Sequence, residues 1–228
     1  MLSIINSMAL DGLNGYLVKV ETDVTGGLPN FDVVGLPDTS IREAKERIRA
    51  AIKNSEIEFP SRRILINLSP ANTKKEGTAL DLPMAIGILC ATDFIYTNVD
   101  LSKTAFIGEL SLNGKINKVN GILPMCIDAI KLGIKRVIIP KENQKEAAIV
   151  QGLEVIPVHD LTEVIEFLEG SLDIKSYKVN IEEILRTSNR YFENFSEVKG
   201  QENIKRALEI AAAGRTQLSS SSVAHGSR

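Results

Sequence analysis

Residues 31–52 read FDVVGLPDTSIREAKERIRAAI, and a change of period inside this stretch decides the fold class. FDVVGL has the apolar density of a strand. Ile41, Ala44, Ile48, Ala51 and Ile52 then recur at the three-to-four-residue spacing of a helix face. Ser40 followed by Glu43 fits a capping box, so a helix is predicted over about 40–54. Upstream, SIINSMAL (3–10) and GYLVKVETDV (15–24) read as strands, and with FDVVGL beyond the turn GGLPN they are expected to form a three-strand meander. Downstream, RRILINLSP (62–70) alternates, with Ile64, Ile66 and Leu68 on one face of a strand.

The pattern continues in both directions of period. ALDLPMAIGILCATDF (79–94) is apolar nearly all round, as in a helix buried on several sides, with Pro83 in its first turn where a missing amide costs least. TAFIGELSLNGKINKV (104–119) reads as a hairpin closed by a two-residue Asn113-Gly114 turn. From Gly121 to Gly170 helix and strand patterns alternate, which predicts a sandwich of mixed β-sheet and helices with parallel pairing near its carboxyl end. Residues 171–195 are polar with sparse hydrophobics and read as a linker. At 196–214 a new helix begins, with Ile204, Ala207, Leu208 and Ala211 on one stripe, and the serine-rich 215–228 reads as a disordered tail or cloning remnant.

Bulk properties exclude several classes. A formal net charge of -2 over 228 residues lacks the positive excess that would hold nucleic acid by counterion release alone, so any DNA contact requires a local patch. Cys90 and Cys126 lie in apolar runs and read as buried, inert thiols. With only His159 and His225 besides, no metal site is expected. The longest apolar stretch, 82–91, is well short of the ~20 residues that span a bilayer. The opening MLSIINSMALDG has no basic region or small-residue cleavage site, so a cytoplasmic location without membrane contact is expected.

Three stretches in order, FDVVGLPDTSIREAKERIRAAI (31–52), NLSPANTKKEGTALDLPMAIGIL (67–89) and FIGELSLNGKINKVNGILP (106–124) with IKRVIIPKEN (134–143), resemble the Lon-protease-like domain at the front of the ComM/YifB family of Mg-chelatase-like AAA+ ATPases. The resemblance implies an α+β, Lon-like fold over 1–170, a linker over 171–195, and at 196–214 the start of an ATPase domain that stops before its phosphate-binding loop. In Lon proteases the segment similar to KEGTALDL (75–82) carries a nucleophilic serine, and that similar to GELSLNGKINKVNGIL (108–123) the lysine that activates it. Here those positions hold Ala79 and Leu123, and neither side chain can take part in Ser-Lys chemistry. The neighbouring Thr78 and Lys118 are displaced from the two positions. No peptidase activity is expected, although an active Ser-Lys peptidase and a metal-insertion ATPase of the chelatase type are the alternatives to weigh, as is a fragment without independent activity.

GELSLNGK (108–115) looks superficially like a P-loop, but five residues separate its glycines and Ile116 follows the lysine, so a hairpin is expected there. Val198, Gly200 and Gln201 resemble the stretch lining the adenine pocket in AAA+ proteins. ATP and Mg2+ are implied only for a full-length family member, and no cofactor for this chain. The family is implied to form hexameric rings that move DNA branch points in recombination and natural transformation, which makes DNA and further copies of the chain the expected partners.

The residues offer a partial basis for DNA contact. Between Arg42 and Arg63 lie seven basic side chains against four acidic. Arg62, Arg63, Lys74, Lys75, Lys115 and Lys118 are the candidate DNA-binding residues, while Arg42 with Glu46 and Glu43 with Arg47 have the spacing of ordinary helical ion pairs. Gly35 and Gly77 are expected to serve backbone geometry.

Overall fold

A computed structural model describes residues 1–179 and 200–214. They fall in two units, Met1–Val179 and one beginning at Asn180. The second contributes α6 (Glu202–Gly214), which starts after Gly200 and Gln201, both at positive φ; Val198 and the segments 180–199 and 215–228 lie outside the described residues.

The first unit is a mixed α/β structure built on one seven-stranded sheet. Its strands are β1 (Leu2–Asp11), β2 (Asn14–Thr25), β3 (Asn30–Val34), β4 (Arg63–Ser69), β5 (Thr104–Phe106), β8 (Arg136–Pro140) and β9 (Glu154–Val158), in the order β3-β4-β2-β1-β5-β8-β9. β1 and β2 form a long hairpin and β2 runs antiparallel to β4, while the β3–β4, β1–β5, β5–β8 and β8–β9 pairs are parallel. The parallel pairing expected near the carboxyl end is therefore present. The meander is not: β4 stands between β2 and β3. The link from β3 to β4 runs through α1 (Thr39–Asn54), and a helical crossover returns the chain beside and parallel to the strand it left. Alternation shows which residues face the core but is blind to which strand becomes the neighbour.

Helices cover both faces. The helix α1, α2 (Asp81–Ala91) and α5 (Leu161–Glu169) pack into one core with Ile5, Val20, Ile66 and Phe106. On the other face α3 (Ile122–Lys131) and the short α4 (Gln144–Ala147) pack with Met8, Ala105, Val137 and Val155. Consecutive residues such as Ala105 and Phe106 serve opposite cores, as strand geometry requires.

Several local expectations are corrected. The α1 helix is capped by Asp38, whose carboxylate accepts from the Ile41 amide at 2.9 Å, and Ser40 hydrogen-bonds that same carboxylate instead of capping with Glu43. A residue in extended conformation before the helix is the one able to turn its side chain onto the first free amides, and Asp38 occupies it. Arg47 does not pair with Glu43; it makes a bidentate pair with Asp81 at 2.8 and 3.0 Å. The hairpin is small: β6 (Glu109–Leu110) pairs with β7 (Ile116–Asn117), while residues 104–106 belong to the main sheet. Its loop is longer than two residues. Ser111 donates to Lys115 and Gly114 to Ser111, and of the turn pair only Gly114 has a positive φ.

Residues 171–179 stay with the first unit. Tyr177 donates to the Val155 carbonyl and Ser176 accepts from the Val155 amide, so β9 has a neighbour along its outer edge and the polar stretch read as linker begins its departure later than Gly170.

Gly35 is required by its surroundings: at φ +97° an added Cβ would lie 2.2 Å from the Leu68 carbonyl oxygen. The Asp81 carboxylate is fully buried, and besides Arg47 it accepts from the Leu110 amide at 3.3 Å. Arg47 is held above its ordinary pKa chiefly by its hydrogen bond to Asp81, while burial pushes the Asp81 carboxyl up despite the pairing. Removing one partner of a buried pair leaves an uncompensated charge, so Asp81→Ala is expected to cost about 3–5 kcal/mol and to lower the melting temperature by on the order of 10 °C. Thermal unfolding followed by circular dichroism checks this; a change under about 2 °C contradicts it.

Candidate functional site

The motifs that carry the Lon resemblance meet at a cleft of about 590 Å3. One wall is the end of the β1–β2 hairpin, residues 8–10 and Gly12; the floor is the loop 76–80 leading into α2; the far wall is Glu109 on β6 and the loop 118–120, with Asp38 at the rim. Backbone bonds hold floor and far wall together, with Gly108 donating to the Ala79 carbonyl at 2.9 Å and Leu82 donating to Gly108 at 3.0 Å. Buried Asn143 clasps Val119 from both sides, accepting from its amide at 3.0 Å and donating to its carbonyl at 2.8 Å, so the loop 118–120 is fixed.

Ala79 lines this cleft, presenting a methyl group where the resemblance places a nucleophile. Leu123, in the first turn of α3, is half-buried and does not line it; its amide donates to Glu146. Thr78 and Lys118 both line the cleft, but the Thr78 hydroxyl donates to the Glu109 carboxylate, whose other oxygen accepts from Asn117 at 3.0 Å. Asn117 in turn accepts from Ser111. Burial tends to raise the Glu109 pKa, but the hydrogen bonds from Thr78 and Asn117 and the charge of Arg47 outweigh it, and the group ends below its ordinary value. So weak a base does little to activate a hydroxyl at neutral pH.

The candidate cations do not gather here. Lys75 is fully buried, and its ammonium donates to the carbonyls of Gly35, Thr73 and Pro70, with burial pushing its pKa down. It ties loop to loop and is withdrawn from the DNA-contact set, because a side chain closed off from solvent cannot reach a phosphate. Lys74 is exposed and pairs with Glu76 at 2.5 Å. Lys118 shares the cleft with Asp38, Glu76 and Glu109, a surplus of negative charge. Lys115 is exposed on the β6–β7 loop, and Arg62 and Arg63 are exposed at the start of β4, where Arg63 pairs with Thr25 at the opposite end of the β1–β2 hairpin from the cleft.

Asp38, Glu109 and Asn143 escaped sequence reading. The PDTS stretch before the helix signalled the cap; Glu109 and Asn143 had no local signal, since their partners lie up to 31 residues away in sequence. Among the described residues no group of three or more His, Cys, Asp or Glu is arranged to hold a metal ion, and no helix is long and apolar enough to cross a membrane. Burial pushes the thiol of half-buried Cys90 up to about 11 and that of buried Cys126 up to about 12, which makes both poor nucleophiles.

The fold and the cleft define a mixed α/β domain of the Lon-like kind, with apolar Ala79 in the lining of its cleft. Comparison with known proteins agrees. A family model described as subunit ChlI of Mg-chelatase matches residues 20–143. The chain is 36% identical over 218 residues to the competence protein ComM of Haemophilus influenzae, covering 95% of this chain and 42% of ComM. It is 38% identical over 217 residues to the YifB protein of Escherichia coli, itself described as uncharacterized, with the same coverage of 95% and 42%. Similarity to the Lon protease of Rhizobium meliloti is 30% over 175 residues, 71% of this chain and 21% of the protease. The chain belongs to the ComM/YifB family of Mg-chelatase-like proteins, and it spans about two fifths of the length of the curated relatives it matches.

The lowered pKa of Glu109 makes its contribution to stability pH-dependent. A carboxyl group with a depressed folded pKa stabilises the fold above its unfolded value, about 4.3, and that contribution disappears as pH falls through the folded pKa. Glu109→Gln is expected to cost about 1 kcal/mol at pH 7 and less at pH 3. Urea unfolding of both proteins at the two pH values is the check, and an equal deficit at both contradicts it.

Proposed function

We propose that the chain is the non-proteolytic amino-terminal domain of an AAA+ ATPase that moves DNA branch points in recombination and natural transformation. In this reading the domain serves ring assembly, and chemistry belongs to the motor. The observation that carries the proposal is the cleft itself: its walls persist, while Ala79 and Leu123 can neither donate nor accept a proton. The relationship to a protein named for competence supports the setting in DNA uptake. ATP and Mg2+ act in the longer protein, where Val198, Gly200 and Gln201 would border the nucleotide.

Assembly is favoured over direct DNA contact by the scatter of the cations. Affinity for a polyanion grows with the number of phosphates neutralised by one surface. Of the six candidates Lys75 is buried, Lys74 is paired, Lys118 sits among carboxylates, Lys115 is exposed on the β6–β7 loop, and Arg62 and Arg63 lie at the other end of the sheet hairpin. The 228-residue chain is accordingly expected to bind forked DNA only weakly, with anisotropy signals that vanish at physiological salt.

Two assays test the reading on a full-length ComM/YifB protein carrying this chain at its front. Branch migration of a synthetic four-way junction should require ATP and be lost when residues 1–179 are removed. Casein should remain intact, also after Ala79→Ser, because position 123 supplies no amine to activate the new hydroxyl. Casein cleavage by the unaltered protein, or inertness toward branched DNA with ATP present, overturns the proposal.

A further inference from the structure

The two edges of the seven-stranded sheet differ in charge and in cover. At one edge stands β3, with no strand on its outer side. Arg42 and Lys45 of α1 and Arg62 and Arg63 at the start of β4 lie along it, against the carboxylates of Asp32 and Glu46. Lys45 reaches Asp32 at 3.8 Å, whereas Arg42, Arg62 and Arg63 have no ion-pair partner among the described residues. Set among these cations are apolar side chains turned to solvent: Val34 is 45% exposed, Leu36 54% and Leu65 37%.

The other edge is β9, bordered on its outer side by Ser176 and Tyr177, and the helix α5 that follows β9 carries the opposite sign. From Asp160 to Lys178, through α5 and the segment along β9, there are five carboxylates against two lysines, Lys175 and Lys178. Asp160 is occupied in capping α5, accepting from the Glu163 amide. Glu166, Glu169 and Asp173 are exposed and have no ion-pair partner among the described residues. Six strand spacings of about 4.8 Å, roughly 29 Å, separate the two edges, so the opposite charges cannot satisfy each other within one molecule.

We propose that the basic β3 edge of one copy docks against the acidic α5 edge of the next, forming a heterologous, head-to-tail contact between copies of this chain. This deepens the ring-assembly reading above, on which it rests, by naming the two surfaces. A head-to-tail contact joins different patches and can close into a ring, whereas two copies meeting through the same patch would set like charge against like. The exposed Val34, Leu36 and Leu65 favour a protein partner over DNA, since apolar side chains gain nothing from a phosphate backbone but do gain from burial against another chain.

The test uses two variants of the full 228-residue chain. One reverses the basic edge, Arg42→Glu with Arg63→Glu; the other reverses the acidic edge, Glu166→Lys with Glu169→Lys. All four positions are exposed, and circular dichroism confirms that each variant is folded. Sedimentation velocity at low salt should show the unaltered chain associating with concentration and each variant alone weakened by about 100-fold or more, since like charges then face each other. Mixing the two variants should restore association: the reversed edges complement each other, and so do the two that were left unaltered. A monomeric unaltered chain, or a mixture that stays monomeric, overturns the proposal. So does loss of forked-DNA binding, with self-association intact, in the Arg42→Glu/Arg63→Glu variant, which would make the basic edge a nucleic-acid surface. Branch migration is scored on the full-length protein, so failure of the functional reading and failure of this contact are told apart.

Discussion

The fully buried carboxylate of Asp81 is where three elements are joined. Arg47 reaches it from α1, the Leu110 amide reaches it from β6, and it stands in the first turn of α2. An isolated charge in that position would be strongly disfavoured, so the folded state depends on the bonds that Arg47 and the Leu110 amide supply. The consequence is positional: the loop 76–80 and the strand β6, which form the floor and far wall of the cleft, are tied to one buried carboxylate. The Gly108–Ala79 and Leu82–Gly108 backbone bonds continue the same seam.

Within that frame the apolar character of the cleft at position 79 is a local feature. Ala79 faces the cleft, and its surroundings are held by side-chain hydrogen bonds: Asn143 clasps the 118–120 loop, and Glu109 gathers Thr78 and Asn117. The Thr78 hydroxyl and the Lys118 amine lie in the same cavity without forming a reactive pair, because the hydroxyl is committed to a carboxylate of lowered basicity. A scaffold can retain the geometry of a site for the sake of packing, and the identity of two side chains then decides whether the site reacts.

Buried lysine follows similar logic. Lys75 has the composition of a surface residue and sits beside the exposed Lys74, yet its ammonium fills a pocket of three carbonyls between loops. Its backbone also bridges to Pro37 and donates to Leu36, so the segment after β3 and the segment before α2 form one unit. The charge satisfies carbonyls that would otherwise be buried without donors, and that is a structural task.

Sequence by itself determined the helices and strands with strong period, the inward faces of β4 and α1, and the glycine at 35, because each depends on local spacing or on residue identity at one position. It misplaced the neighbour of β3, the cap of α1, the partner of Arg47 and the exposure of Lys75. Each of these depends on a group distant in sequence: β4 comes beside β3 only through the α1 crossover, and Arg47 meets Asp81 across 34 residues. Tertiary structure decided which of two adjacent lysines meets water and which edge of the sheet carries which charge, since burial and the ordering of strands are properties of the packed chain and leave no periodic trace in the residues that undergo them.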